Sequence, residues 1–499
     1  MDIVLHAFDE SNTRIRPDRI ERLVKGGDGG VVFLIGVQSN QFPRSLDLAR
    51  ALMQRGVQVV IGGFHVSGVI SMLDGHDPDF RRAKEMGVSL FAGEAEGRLE
   101  RVLQDAYVGT LRPLYNHMND LPGIAGVPSP ILPAHVVRRT LGNATSFDAG
   151  RGCRYQCSFC TIINVQGRKS RRRSPDDVEK IIRANHAQGL REFFVTDDNF
   201  ARNKDWEAIL DRLIYLRRIE RLPFSLTIQV DTLCHRIPRF VEKCALAGVK
   251  TAFIGLENIH PQNLLGAKKR QNKITEYRRL LLAFKNVGIL TFAGYILGFP
   301  DDTAEAILHD VEVIKRELPI ELLEFFYLTP LPGSEDHQRL HRAGIPMDPD
   351  MNKYDLNHRV TGHARMTPQE WDEVYRLAWQ RYYTLGAHGD DPAQGRGDRP
   401  ASISRQCPNG DAEHGRIQGR DRHRGHPSAR GRPVPAQIVA TAAPSSASSR
   451  PGASIRRCSR RPSSSRRNGR RSTLVWDASS GGRCATRSAS NTWTPRPRR

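Results

Sequence analysis

Long apolar runs are missing from this 499-residue chain. The longest candidate, Val31 to Val37, has only the length of a strand, so no segment is fit to cross a membrane as a helix. The N-terminus also lacks the basic, then apolar, then small-residue order of a secretory leader, which predicts a soluble protein of the cytoplasm. Cysteine is scarce, with eight in the whole sequence and none before Cys153. That excludes a disulfide framework and leaves the thiols as ligands, nucleophiles or buried packing groups in a reducing compartment.

Residues 391–499 hold 23 Arg, no Lys and 6 acidic residues, a net charge of +17 within the total of +21. The first 390 residues are nearly balanced, so the part able to fold has no basic face to argue for a nucleic-acid substrate. The same 109 residues contain only eight Leu, Ile, Val and Phe, too few for a core. A disordered Arg/Ser/Pro-rich tail is therefore expected over 386–499. One reading is a basic arm for nucleic acid or a membrane surface. The preferred one is a GC-rich gene read out of frame, because most Arg codons are GC-rich and Lys codons are not. Cys407, Cys458 and Cys484 then carry no chemistry.

What is present is alternation. Val31 to Val37 reads as a buried strand, Arg44 to Arg55 as an amphipathic helix, and Val57 to Ile61 as a second strand ending in Gly62-Gly63, a parallel βαβ pattern. Another strand, Val88 to Phe91, leads into Gly93-Glu94-Ala95-Glu96-Gly97. Prolines then punctuate 111–140 as a linker. From there six strands are predicted, at 145–149, 192–197, 225–231, 251–257, 290–297 and 321–328, with helices between them, as in a barrel or partial barrel whose chemistry sits at the C-terminal strand ends. Thr367-Pro368-Gln369-Glu370 has capping-box form and opens a helix whose Trp371, Tyr375, Trp379 and Tyr383 pack on the barrel.

After the first barrel strand, Cys153, Cys157 and Cys160 fall within eight residues of one loop. No fourth ligand at structural-zinc spacing follows. Three thiolates also suit a 4Fe-4S cluster with one iron left open. Cys234 and Cys244 read as packing residues.

With Phe159 between the last two cysteines, the sequence resembles the radical S-adenosylmethionine superfamily, whose signature is C-x-x-x-C-x-aromatic-C. The resemblance covers about 140–335 and reaches the other strand ends. It implies that Cys153, Cys157 and Cys160 hold the cluster. It also implies that Asp197, Asp198 and Asn199 lie by the amino group of the cofactor's methionine and that Glu257 lies on the ribose side. Gly294, Ile296 and Gly298 of a G-x-I-x-G-x-x-E-like motif, ending here in Asp301, would flank the adenine. Gln229 and Asp231 point to the barrel mouth for cofactor or substrate. The implied chemistry is reductive cleavage of S-adenosylmethionine to a 5′-deoxyadenosyl radical, with the protein supplying binding, orientation and exclusion of water.

A Rossmann-like unit followed by a linker and this barrel resembles the cobalamin-binding class of the superfamily, with Gly62, Gly63 and His65 as the candidate cobalamin contacts. The class's D-x-H-x-x-G loop is absent, and the chain reads as starting at the second strand, Ile3 to Leu5, which would leave a sheet edge unpaired. Cobalamin is thus left open.

The expected fold is α/β: a Rossmann-like, cobalamin-binding-like parallel sheet (1–110), a linker (111–140), a partial (β/α)6 TIM-type radical core (141–335), a helical extension (336–385) and the tail. The expected function is modification of a small or lipid-like metabolite, with methylation if cobalamin binds, fed by an electron donor such as flavodoxin or ferredoxin. The alternatives are an iron-sulfur binding or regulatory protein without turnover and an RNA-modifying radical enzyme. The latter is disfavoured because its group carries a second cysteine set before the barrel.

Overall fold

The computed structural model describes residues 3–10, 13–139, 143–383, 436–442 and 475–476. Apart from nine residues, the expectations for the Arg-rich tail lie outside the described residues. Among those described, no helix is long and apolar enough to cross a membrane.

The N-terminal sheet contains β1 (Ile3–Phe8), β2 (Gly30–Ile35), β3 (Gln58–Gly62), β4 (Ser89–Ala92) and β5 (Leu114–Asn116). β2 to β5 run parallel. Side chains alternate across it with the two-residue period of a strand. Val32, Leu34, Val59, Ile61 and Leu90 face one core with helices Phe42–Met53 and Phe64–Leu73, while Val31, Phe33, Val60 and Phe91 face another with helix Leu99–Tyr107. Buried on both faces, β2 needs the continuous Val-Val-Phe-Leu-Ile run that the sequence supplies. The Pro-rich stretch contributes β5, which pairs Leu114 with Leu90 of β4.

The second sheet holds β6 (Ala144–Phe147), β9 (Glu192–Val195), β10 (Ser225–Val230), β11 (Val249–Glu257), β12 (Leu290–Leu297) and β13 (Leu322–Tyr327), in the order β13-β12-β11-β10-β9-β6. All its pairings are parallel, and every strand foreseen in the barrel segment is formed. Beside it, β7 (Gly150–Arg151) and β8 (Arg171–Arg172) make a two-stranded antiparallel ribbon. Helix Pro368–Tyr382 starts on the expected capping box between Thr367 and Glu370 and packs on this sheet. Its buried residues are Trp371, Val374, Ala378 and Tyr382, while Tyr383 is exposed. Tyr375 and Trp379 are partly buried and pack on the same core, Tyr375 stacking on Tyr327 at 4.3 Å and Trp379 meeting Phe325 edge-on at 5.4 Å. Cys234 and Cys244 are fully buried in this core.

Two short tail strands, β14 (Ala436–Ala442) and β15 (Val475–Trp476), join the N-terminal sheet, whose order is β15-β1-β14-β2-β3-β4-β5. At these residues the expectation of a structureless tail is corrected. Ala436–Ala442 carries no Arg, Gly or Pro and sets Ile438 beside Val439, a composition that suits a strand. β14 runs antiparallel to both β1 and β2. The edge expected to be unpaired at β1 is paired on both sides, by β14 and by β15.

The two sheets' layers meet at helix Phe64–Leu73. A Cβ on Gly68 would stand 2.5 Å from the Pro332 carbonyl oxygen and 2.9 Å from Gly333 Cα. Ser71 Oγ donates to the Asn164 carbonyl at 2.7 Å, and Gln338 Nε2 to the Met72 carbonyl at 2.5 Å. Backbone lies directly on backbone at this seam.

Candidate active site

The three cysteines sit on the loop between β7 and β8. Gly152 enters it at φ +86°, where a Cβ would meet the Lys169 carbonyl oxygen at 2.6 Å, so only glycine fits. Cys153 N–H donates to the Gly167 carbonyl at 3.2 Å and Cys160 N–H to the Cys157 carbonyl at 3.2 Å, folding the loop on itself. It is also stitched outward, with Ser158 N–H on the Ala267 carbonyl at 3.0 Å and Ser158 Oγ on Asp336 at 3.1 Å. Cys157 is buried and Cys153 and Cys160 are partly buried. Burial, then the neighbouring Cys157, pushes the Cys160 thiol up to about 12, and burial also raises Cys153. Such thiols give up their protons only to a strong electrophile such as a metal.

Two residues that the sequence reading missed face this loop. Gln271 Nε2 donates to Cys157 Sγ at 3.5 Å. The Lys269 ammonium lies 5.7 Å from the centre of the Phe159 ring and is ion-paired with Glu257. Lys269 is 7% exposed. Burial opposes its charge, but Glu257 and the thiols of Cys157 and Cys160 raise its pKa nevertheless. Only its place in the Lys268-Lys269-Arg270 run is legible in the sequence, and that run reads as solvated charge. Glu257 itself adopts φ +65°, a strained setting for a side-chain-bearing residue, where β11 is irregular beside β12.

Not every foreseen residue faces the cysteines. Both Asp197 oxygens are taken, one by the N–H groups of Ala149 and Gly150 at 2.7 and 2.5 Å and the other by Asn203 at 3.0 Å. Burial pushes Asp197 up to about 7 against those hydrogen bonds, and Asp198 up to about 6. Asn199 donates to Asp231 at 2.9 Å, and Asp231 receives Arg202 at 2.6 and 2.9 Å. Burial works against the Asp231 charge, yet Arg202 holds its pKa below the ordinary value. Gln229 Nε2 reaches the Asp197 carbonyl at 3.3 Å. These four groups brace the strand ends against one another.

Ile296 does meet the cysteine loop, in an apolar cluster with Phe159, Phe299, Ala267 and Phe326. Gly294 makes room for Phe326, whose ring a Cβ would approach to 3.0 Å. Gly298 makes room for Trp371, whose ring would stand 1.9 Å from a Cβ. At the end of this motif Asp301 is exposed, paired with Arg365 at 3.1 Å. Asp302 takes the buried role, accepting from the N–H groups of Gly298 and Phe299 at 2.9 Å each.

The candidate cobalamin contacts are engaged in packing. Gly63 at φ +144° brings its backbone so near Val37 that a Cβ would meet the amide nitrogen at 2.2 Å, and Gly62 clears Phe91. His65 has no exposure, stacks on Phe42 at 4.2 Å and faces Ser39 Oγ at 3.3 Å.

Among the described residues no three His, Cys, Asp or Glu side chains converge on a single ion. The three thiols do not enclose a mononuclear site. An iron-sulfur cluster asks something else of them, one thiolate on each of three irons, and a partly buried loop with a cation and an amide donor beside it fits that demand. A cavity of about 350 Å³ opens nearby, lined by Glu96, Asp148, Arg151, Arg173 and Thr196 and by none of the cysteines.

Residues 149–314 match the Radical SAM superfamily. That segment is a radical SAM domain, and the protein is an enzyme. The bacteriochlorophyllide d C-8(2)-methyltransferase of Chlorobaculum tepidum is 25% identical over 373 residues, 70% of this chain and 78% of that one. The hopanoid C-2 methylase of Rhodopseudomonas palustris is 29% identical over 203 residues, which span 40% of this chain and only 38% of that relative. The fold resembles the radical S-adenosylmethionine methyltransferase TsrM from Kitasatospora setae, solved with cobalamin and a [4Fe-4S] cluster, at a TM-score of 0.55 and 16% identity over 72% of this chain and 79% of that one. It also resembles the cobalamin-dependent enzyme OxsB with aqua-cobalamin bound, at 0.54 and 16% over 73% of this chain and 60% of that one.

Proposed function

We propose that the protein cleaves S-adenosylmethionine reductively and modifies a small or lipid-like metabolite, with methylation as the outcome favoured by the names of its relatives. The observation that carries this reading is the meeting of Cys153, Cys157 and Cys160 with Gln271 and Lys269 at one end of a parallel sheet. Cys153, Cys157 and Cys160 would hold a 4Fe-4S cluster, which supplies the electron for the cleavage when bound.

The chain's own groups do the rest. Gln271 orients Cys157 through its sulfur, and Lys269 balances negative charge on the thiolates. Glu257 and Asp198 offer carboxylates to hydroxyl and ammonium groups, and Phe159 with Ile296 forms an apolar wall that excludes water from an adenine. Asp197, Asn199, Gln229 and Asp231 position these strand ends. Residues 141–335 form the proposed core, and a flavodoxin or ferredoxin is the proposed electron donor. The cobalamin-bound neighbours support a corrin cofactor, with the half-buried backbone of Gly62 and Gly63 as the proposed contact, while His65 has no exposure and packs on Phe42.

Anaerobic reconstitution with iron and sulfide, then incubation with reductant and S-adenosylmethionine, tests the reading. Wild type should release 5′-deoxyadenosine and Cys157→Ala should not. A wild type loaded with cluster that releases none would favour an iron-sulfur protein without turnover.

A further inference from the structure

The cysteine loop is closed at its base by the β7–β8 ribbon, in which Arg151 and Arg171 stand directly opposite each other. Like charges so placed repel and destabilise a strand pair. Here a single carboxylate from the other sheet joins them. Glu94, on the loop after β4, receives Arg151 Nη1 and Arg171 Nη1 on the same oxygen, each at 2.7 Å, and its second oxygen pairs with Arg171 Nη2.

The surroundings fix all three groups. Arg151 also reaches Glu96 at 2.7 Å and Asp148 at 2.6 Å, and Arg171 donates to the carbonyls of Pro122 at 2.7 Å and Gln166 at 2.9 Å. The loop carrying Glu94 is itself held, since Gly93 N–H donates to Ser67 Oγ at 3.0 Å and a Cβ on Gly93 would meet the His117 backbone at 2.9 Å. Glu94 has 10% side-chain exposure and Arg171 14%, so water screens the arrangement little. The S-adenosylmethionine reading of the site uses none of these residues.

We infer that Glu94 is a positioning residue for the cysteine loop: the N-terminal sheet unit sets the base of the loop by bridging two arginines that would otherwise force the ribbon apart. The inference deepens the proposed function and borrows from it only the importance of the cysteines. The geometry itself can be tested on the protein without iron, so that its failure is distinct from failure of the radical reading.

The test is hydrogen-deuterium exchange of the apo full-length chain, comparing wild type, Glu94→Gln, Arg171→Met and the double variant. Amides hydrogen-bonded within the loop, those of Cys153, Cys160 and Gln166, should exchange about tenfold faster in Glu94→Gln while those of β9 to β13 stay at wild-type rates. The double variant, which lacks one of the two opposed charges, should return to within about threefold of wild type. After reconstitution, Glu94→Gln should show an altered electron paramagnetic resonance response to S-adenosylmethionine, and Glu94→Asp, which keeps the charge, should restore part of it.

Loop exchange unchanged in Glu94→Gln, or no slower in the double variant than in the single one, overturns the inference. Should Glu94→Gln unfold throughout, the double variant decides: a folded double variant with loop exchange within about threefold of wild type supports the inference, and one that unfolds as the single variant does overturns it.

Discussion

Replacing Gly298 by alanine tests how the glycine just past the end of β12 acts. The residue adopts φ +97°, and a Cβ there would lie 1.9, 2.5 and 2.9 Å from three atoms of the Trp371 ring. Two costs add. Holding alanine in that backbone region costs about 1–3 kcal/mol. Displacing a ring that is 2% exposed and wedged between His363 and Tyr327 adds an overpacking cost of about 1–3 kcal/mol. A sum of about 4 kcal/mol corresponds to a drop of roughly 8–16 °C in apparent melting temperature for a unit of this size. The assay is a thermal melt of the apo chain at a fixed scan rate. Trp371→Leu provides the partner variant, because it removes the clash and leaves the backbone strain. In that background Gly298→Ala should cost only about 1–3 kcal/mol. An equal cost in both backgrounds, or a drop under about 2 °C in the first, would refute the steric account.

Two further outcomes follow from buried charge and buried imidazole. Lys269→Met leaves the Glu257 carboxylate without its partner, at side-chain exposures of 9% and 14% for the pair, and should destabilise the chain by about 3 kcal/mol, with Lys269→Met/Glu257→Leu recovering most of it in a denaturant titration. A double variant no more stable than the single one would sink that account. Burial holds His65 and His337 neutral, lowering each to about 4, and Asp77 only partly offsets it. Between about pH 4 and 6.5 the unfolded chain therefore binds more protons at these sites, so their contribution is fully present above 6.5 and is lost as pH falls towards 4. Asp197 and Asp198, pushed up to about 7 and about 6, act in the opposite sense. The informative quantity is thus the difference between chains: His65→Phe/His337→Phe should lose less melting temperature than wild type from pH 7 to pH 5, and equal losses would refute the reading.

The barrel strands were legible because each is a short apolar run ending at a turn residue, a pattern carried by neighbours in sequence. The three cysteines were legible for the same reason. What escaped is what depends on distant partners. Nothing near Lys269 in sequence shows that it lies under Phe159, and nothing near Arg151 shows that Glu94, 57 residues earlier, reaches it. Asp301 and Asp302 are adjacent and chemically alike, so only the path of the turn shows which one caps Gly298. Asp197 is placed by the resemblance beside the amino group of the cofactor's methionine. Its partner Asn203 and the amides of Ala149 and Gly150 come together only in three dimensions. The strand at Ala436–Ala442 was hidden by the Arg-rich composition around it, which an average over the tail cannot resolve.

The seam at Gly68 bears on how molecules come and go. Joints that swing like a clamshell need side chains that can part and re-form, whereas here a helix backbone rests on the Pro332–Gly333 turn with no room for a methyl group. Traffic through that joint would require breaking the Ser71 and Gln338 hydrogen bonds as well. The second sheet, by contrast, is not closed on itself, since β6 and β13 lie at its opposite ends and do not pair. The helix that carries Gly68 and Ser71 touches the turn after β13 and the cysteine loop after β6 alike, so it ties together the two ends that the open sheet leaves apart.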